Sequence, residues 1–509
     1  MKNRATLQSN SDWRRYVLPL VGAVIISAFA ASAQNQPQLT ITQISTDTFT
    51  DSDAQHASEV EPDAFGYGNT IVSAFQVGRI YDGGGSDIGF STSTDGGKTW
   101  TAGYLPGLTV NYKNGTFSAA SDAAVVYDAA HGVWLICTLP IGGNDVVAVS
   151  QSKDGLTWAN PVIVTNINAD KNWITCDNTS ISPYYGHCYV EFDSPANGDL
   201  VYMSTSTDGG KTWSAAKNTA DTLFGIGGVP LVQPNGNVVV PIVDFNSGEM
   251  GAFMSTNGGS SWTKTVNIDT INQHGDAGGI RSAGLPTADI DGAGNIYVVW
   301  SDCRFRSGCK ANDLVFSTSS NGTTWTKAAR IPMVPVNSNV DLFIPGVGVD
   351  PATSGSSAHI ALTTYAYADT NCSFSTCQLY VGFTLSADGG KTWTQGKVLA
   401  GPMKLSWLPN SFSGYMVADY LGTTFVKGKP FGVFAVAKAP NGSTLNQGMY
   451  TTTQPLLVAD NEPTYSSAVD KPIPGVKGDK PKPKYYDLDG EYPVPPSRKN
   501  LKNLRKATR

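Results

Sequence analysis

Four arginines and a small set of carboxylates are the residues of this 509-residue chain best placed to do chemistry. Arg79 follows the apolar run IVSAFQVG, and Arg281 stands in GGIRSAGLPTADID. Arg304 and Arg306 share the stretch WSDCRFRSGCK with Asp302. A guanidinium is a planar fork of donors that matches a carboxylate through two parallel hydrogen bonds. Arginines converging on one point would therefore hold a carboxylate-bearing ligand, and Arg79, Arg281 and one of Arg304 or Arg306 are the candidates. The alternative for Arg304 is a pair with a neighbouring Asp that only orders its loop. Glu61, Asp63, Asp122, Asp341 and Asp419 fall where the first strands of successive repeats begin, with Lys171 and Arg281 as counter-charges. Two carboxyl groups flanking a bond are what acid–base cleavage of a glycosidic linkage needs, and Glu61, Asp63 and Asp302 are the candidates for that work. Such carboxylates can also gather calcium. The stretch TADIDGAGN (Asp289, Asp291, Asn295) lacks the closing Glu of a calcium loop and coincides with a repeated turn, so a turn is expected there. His274 is read as an ordinary loop residue rather than a proton carrier. No metal and no cofactor are expected.

The elements that must position these residues announce themselves through one eight-residue box. STDGGKTW at Ser93–Trp100 returns at Ser206–Trp213, as SADGGKTW at Ser386–Trp393 and as STNGGSSW at Ser255–Trp262. Shorter copies stand at Ser152–Trp158 and Ser319–Trp325. Copies about 50 to 70 residues apart mark a repeat architecture. The Asp or Asn oxygen can accept backbone N–H groups two residues on, Gly supplies positive φ, and the Trp packs on a sheet. Asn257 and Asn321 replace the Asp, so the box needs no negative charge and reads as a structural staple. Around each box the plan repeats: a strand, a Gly/Asn/Asp turn, an apolar strand, a variable loop, a third strand, the box, a fourth strand. After the last box the pattern occurs once more without one, over Gly414–Thr453, and supplies three strands. The alternating run LTITQIS at Leu39–Ser45 has no partner nearby and would supply the fourth.

Composition fits a secreted all-β chain. Charged residues make up 15% and the net charge is −6, with no basic stripe in the repeats, which argues against nucleic acid as partner. Arg14-Arg15, the apolar run Val17–Ala30 and Ala31-Ser32-Ala33 form a signal peptide over residues 1–33, so secretion or export to the periplasm is expected. Cys176/Cys188, Cys303/Cys309 and Cys372/Cys377 are each close enough in sequence to bridge locally, leaving Cys137 as a buried thiol. Zinc is not expected at these cysteines, whose spacings are wrong for it. Residues 457–509 turn rich in Pro and Lys and end in clustered bases; they read as a solvated tail, with contact to an anionic cell surface as the sharper reading.

At the six boxes the chain resembles the Asp-box (BNR) repeat proteins, whose best-known members are the sialidases. The resemblance implies a β-propeller over residues 34–456. The repeat count gives seven four-stranded blades, closed by the N-terminal strand, with six as the alternative. In such a fold the boxes lie on one face and the variable loops, where chemistry is expected, on the other. Sialidases hold an acidic sugar with three arginines and use a Tyr/Glu nucleophile pair, for which Tyr415 and Tyr420 are candidates here, as are Tyr184 and Tyr185. The chain departs from that family at EPDAFGYG, where Glu61 and Asp63 stand in place of an Arg-Ile-Pro signature. The expected function is a monomeric carbohydrate-active protein, a glycoside hydrolase on a terminal sugar. The alternative is a non-catalytic propeller that binds a glycan or a protein.

Overall fold

The apolar runs between the Gly/Asn/Asp turns become strands, and the computed structural model describes residues 39–282, 284–456 and 463–481. Its regular structure is β apart from single 3-10 turns. Among the described residues the mainly antiparallel strands are taken in seven successive groups, of which the seventh, first and second are joined into one sheet by single pairs, Ser58 with Gln447 (parallel) and Gly85 with Ala120. The first is Ala54–Tyr67, Thr70–Ile80, Gly85–Ser93 and Thr101–Tyr104; the second is Ala119–Asp128, Val133–Ile141, Val147–Ser152 and Val162–Thr165. The third has Asp170–Cys176, Cys188–Ser194 and Leu200–Ser206, its fourth place reduced to a bridge between Met203 and Lys217. In the fourth, Gly225–Ile226 and Leu231–Val232 share the first place beside Val238–Asp244, Glu249–Ser255 and Val266–Thr270. The fifth is Thr287–Ile290, Ile296–Asp302, Asp313–Ser319 and Ala329–Arg330; the sixth is Asp341–Val349, Ile360–Tyr367, Gln378–Ser386 and Lys397–Lys404.

The seventh group, Gly422–Val426, Lys429–Ala437 and Gln447–Thr452, takes its fourth strand from the other end of the chain. Ile41, Thr42 and Gln43 pair with Thr452, Thr451 and Tyr450. Glu59 adds a side-chain tie, accepting from the Ser45 hydroxyl and from the Met449 N–H at 3.0 Å. The expected pairing of the orphan strand with Gly414–Thr453 is therefore present. The first strands of the groups also lie against one another: Ala54–Tyr67 touches both Ala119–Asp128 and Gly422–Val426, and each later one touches the next. Apolar side chains fill the spaces between consecutive groups, as Phe90, Trp134, Ile136 and Trp158 do between the first two. Each such side chain stabilises the fold by about 1.5–3 kcal/mol.

The boxes are tight turns held by their own polar atoms. Asp95 Oδ1 accepts the N–H groups of Lys98 and Thr99 at 3.0 and 2.9 Å, and Ser93 Oγ accepts the Gly97 N–H at 2.8 Å. Asn257 repeats this with its amide oxygen on the Ser261 N–H at 3.0 Å, as its lack of charge requires. Glycine is needed for two reasons at Gly97: its φ is 86°, and a Cβ would stand 2.5 Å from the Phe431 ring of the neighbouring group.

Three disulfides link Cys176–Cys188, Cys303–Cys309 and Cys372–Cys377, and Cys137 is a buried free thiol. The tail departs from expectation. Thr464–Ser466 pairs with Thr392–Thr394, Asp470 accepts from Arg330 at 2.8 Å, and Gln273 and Asp479 exchange backbone hydrogen bonds. A Pro-rich segment needs no core of its own when an existing strand edge and a buried guanidinium supply partners. The expected signal peptide and the tail beyond Pro481 lie outside the described residues.

Candidate functional site

The first strands carry a repeated irregularity that the sequence did not advertise. Glu61, Asp122, Lys171 and Ile344 have φ of 57°, 49°, 24° and 52°, each where the register between first and second strands shifts. A bulge of this kind inserts an extra residue and re-aims its side chain. Holding a non-glycine residue there costs about 1–2 kcal/mol, so the surrounding sheet must over-determine it. In the first three groups the re-aimed residue is ionisable, and the three meet other charges brought from the first, fifth and seventh groups.

Arg79 and Arg281 are the arginines that come together. Arg79, at the end of its strand far from the box, is 2% exposed. It donates to Gln76 Oε1 at 2.9 Å and to the Gly84 carbonyl at 3.2 Å, while its Nε has no hydrogen-bond partner among the described residues. Gln76 passes the connection on, donating through Nε2 to Glu61 and, at 2.9 Å, to Ser121. Glu61 Oε1 lies 4.0 Å from Arg281 Nη2, and Arg281 grips Asp419, its Nε lying 2.9 and 3.0 Å from the two oxygens. Burial, and then the nearby Arg281 charge, push Arg79 down to about 10, so it stays cationic at neutral pH. Burial above all, with Asp122 and Asp419 adding to it, holds the Glu61 carboxyl well above the usual range. Glu61 is thus a buried carboxyl, raised above its usual range, that lies beside the Arg281 guanidinium.

Lys171 and Tyr420 complete the group. The ammonium lies 3.8 Å from the centre of the Tyr420 ring and 4.7 Å from that of Trp173. The Tyr420 hydroxyl donates to the Ala123 carbonyl at 3.2 Å, and burial first, then Glu61, pushes it up.

The other sequence-derived candidates lie in different settings. Asp63 accepts the Val125 N–H at 2.8 Å and so ties the first group to the second; burial raises it to about 6. Asp302 is saturated by the Asn272 N–H, by the Arg304 N–H and guanidinium, and by Trp300 Nε1. Arg304 also reaches Asp269 at 3.1 Å and the Thr270 carbonyl, joining the fourth and fifth groups. Arg306 forks onto Asp313 at 2.7 and 2.6 Å and donates to the carbonyls of Val336 and Ser338. Neither is drawn to Arg79 and Arg281, because the neighbouring Asp302 and Asp269 of the fourth group claim Arg304, and Asp313 claims Arg306. Tyr415 contributes its backbone, accepting the Arg281 N–H at 2.8 Å, while its ring stacks on Phe374 at 4.8 Å. Gln76 and Ser121 were missed: a polar pair inside apolar strands gives no spacing signal, and only its proximity to Glu61 reveals it.

No family model matches the chain. A segment is 26% identical over 210 residues to a sialidase of Bacteroides fragilis (strain YCH46), covering 35% of this chain and 37% of that protein's length. Among solved structures, the intramolecular trans-sialidase of Ruminococcus gnavus aligns with a TM-score of 0.38 at 14% identity, over 76% of this chain and 92% of its own. An ulvan lyase of a polysaccharide lyase family aligns with a TM-score of 0.45 at 11% identity, over 80% of this chain and 94% of its own. Likenesses this distant assign no residue a role.

Proposed function

We propose that the chain is an exported, seven-bladed, sialidase-like propeller that acts on glycans ending in an acidic sugar. The seven antiparallel groups are its blades, the touching first strands line its centre, and the boxes mark the face away from the site. The observation that carries the reading is the arrangement of Arg79, Arg281 and the buried Glu61, with Gln76 linking Arg79 to Glu61 and Arg281 4.0 Å from it. Guanidinium groups orient a sugar carboxylate by charge-assisted hydrogen bonds, and a carboxyl whose pKa burial raises suits the general acid that glycosidic cleavage needs. The segment similar to a sialidase supports the choice of sugar chemistry. Asp63, Asp302, Arg304 and Arg306 have structural work in this reading, and Tyr420 takes the central place first given to Tyr415.

A second reading, a glycan-binding propeller without catalysis, is favoured by the grip of Asp419 on Arg281. An incoming carboxylate meets a guanidinium that already has an acidic partner. A panel of chromogenic glycosides run beside a glycan array separates the two. Release of chromophore from acidic glycosides, abolished in Glu61→Gln, supports the hydrolase; binding of acidic glycans with no turnover supports the binder. Failure to bind acidic glycans in either assay removes both.

A further inference from the structure

The link between the fourth and fifth groups, which carries Arg281, also carries side chains that the reading above leaves unused. His274 Nδ1 lies 3.1 Å from Asp341 Oδ2, and one ligand atom each from His274, Asp276 and Asp341 falls within 4.8 Å of the others. Asn312 frames the three. Its backbone N–H donates to Asp341 Oδ1 at 2.6 Å, its side-chain amide donates to the His274 carbonyl at 2.9 Å, and its Oδ1 accepts the His274 N–H at 2.8 Å. These bonds fix the imidazole and one carboxylate before any ligand arrives, as the outer partners of metal ligands do.

A separate observation points at a ligand. Tyr367 stands directly across the ladder from Asp341, which puts both side chains on one face of the sheet. It is fully buried, its hydroxyl has no hydrogen-bond partner among the described residues, and the charges of Asp276 and Asp341 both act on it. A buried hydroxyl left without a partner is unfavourable. The His274 side chain is 24% exposed, which leaves a way in from solvent.

We propose that His274, Asp276 and Asp341 form a site for one divalent transition-metal ion, Zn2+ or Mn2+, with the Tyr367 hydroxyl facing the ion or a water bound to it. One imidazole nitrogen with two carboxylate oxygens suits these ions, whereas Ca2+ takes six to eight oxygens. Bound there, the ion fastens the Arg281-bearing link to the first strand of the sixth group. The proposal goes beyond the glycan reading and stands without it.

The test uses the full mature protein, treated with EDTA, dialysed free of it, and titrated calorimetrically with ZnCl2, MnCl2 and CaCl2 in separate runs. Zn2+ or Mn2+ should bind at one ion per chain, with Ca2+ at least tenfold weaker. His274→Gln, a change on a partly exposed link, should weaken the preferred ion at least tenfold while the circular dichroism spectrum and glycan binding persist. Tyr367→Phe, which keeps the ring, should weaken it less. No binding of Zn2+ or Mn2+, tighter binding of Ca2+, or unchanged affinity in His274→Gln would overturn the assignment.

Discussion

Arginines do opposite work in two regions of this protein. In the fifth group Arg304, Arg306 and Arg330 are each matched to carboxylates within a few strands: Asp302 and Asp269, Asp313, and Asp313 with Asp470. Beside the bulged first strands, Arg79 donates to the neutral oxygens of Gln76 and Gly84, and Arg281 holds Asp419 while lying 4.0 Å from Glu61, whose carboxyl burial raises well above its usual range. Carboxylate pairing makes an arginine part of the scaffold, even where one nitrogen, Arg330 Nε, has no partner among the described residues. An arginine held by neutral oxygens, as Arg79 is, differs from one already on a carboxylate, as Arg281 is on Asp419. The difference lies in which carboxylates each arginine meets, both near in sequence, as Asp302 is to Arg304, and from another group, as Asp269 is.

The largest effect that would test this contrast is on stability. Arg306→Ala strips a 3%-exposed fork from Asp313 and should cost about 3–5 kcal/mol in denaturant unfolding, while glycan affinity of the folded protein stays unchanged. A loss of glycan affinity in that folded variant would erase the distinction. Arg281→Ala should do the reverse. It should weaken binding of acidic glycans about tenfold, near 1.4 kcal/mol, and leave neutral glycans almost untouched; equal losses for both would break the comparison from the other side.

Proton linkage sharpens it further. Burial raises Glu59 to about 8 and Asp289 to about 7. A carboxyl whose folded value lies above its unfolded one binds more protons folded than unfolded, so stability falls as pH rises between the two. Their contribution is intact below about pH 4 and is lost by about pH 8. Melting temperature should therefore decline from pH 5 to pH 8.5, and Glu59→Gln should flatten part of that decline. The smallest effect belongs to the boxes. Asp95→Asn should be nearly neutral, as Asn257 already shows the amide suffices, whereas Asp95→Ala should cost about 1 kcal/mol.

Much of the fold could be read beforehand because its signals are local. The boxes, the turns and the alternating runs lie within a few residues of one another, and even the closing strand at Ile41–Gln43 was visible as an alternating run lacking a partner. The candidate site was only half legible. Arg79, Arg281 and Glu61 were identifiable as scarce charged residues at strand ends, but the wrong partners were grouped with them. Arg304 and Arg306 belong elsewhere: Arg304 takes the neighbouring Asp302, the alternative the sequence offered, and adds Asp269 from the fourth group, while Arg306 takes Asp313. The bulges at Glu61, Asp122 and Lys171 involve no glycine, so nothing marked them. The docking of residues 463–481 was hidden for a related reason: low hydrophobicity forecasts no core, yet says nothing about pairing with an edge that another segment provides.

The union of Ile41–Gln43 with Gln447–Thr452 also sets a timetable. Thr40 and Thr453 meet across 413 residues of chain. The seventh group cannot be completed until its last strand has been synthesised and has found a segment made at the outset. Through most of its synthesis the chain holds the Glu59 end of that junction without its Met449 partner, with apolar strand edges exposed to other molecules. Long-range closure of this kind is slow. The step most open to rescue by a chaperone, or to loss by aggregation, is thus the one in which Ile41–Gln43 first meets Gln447–Thr452.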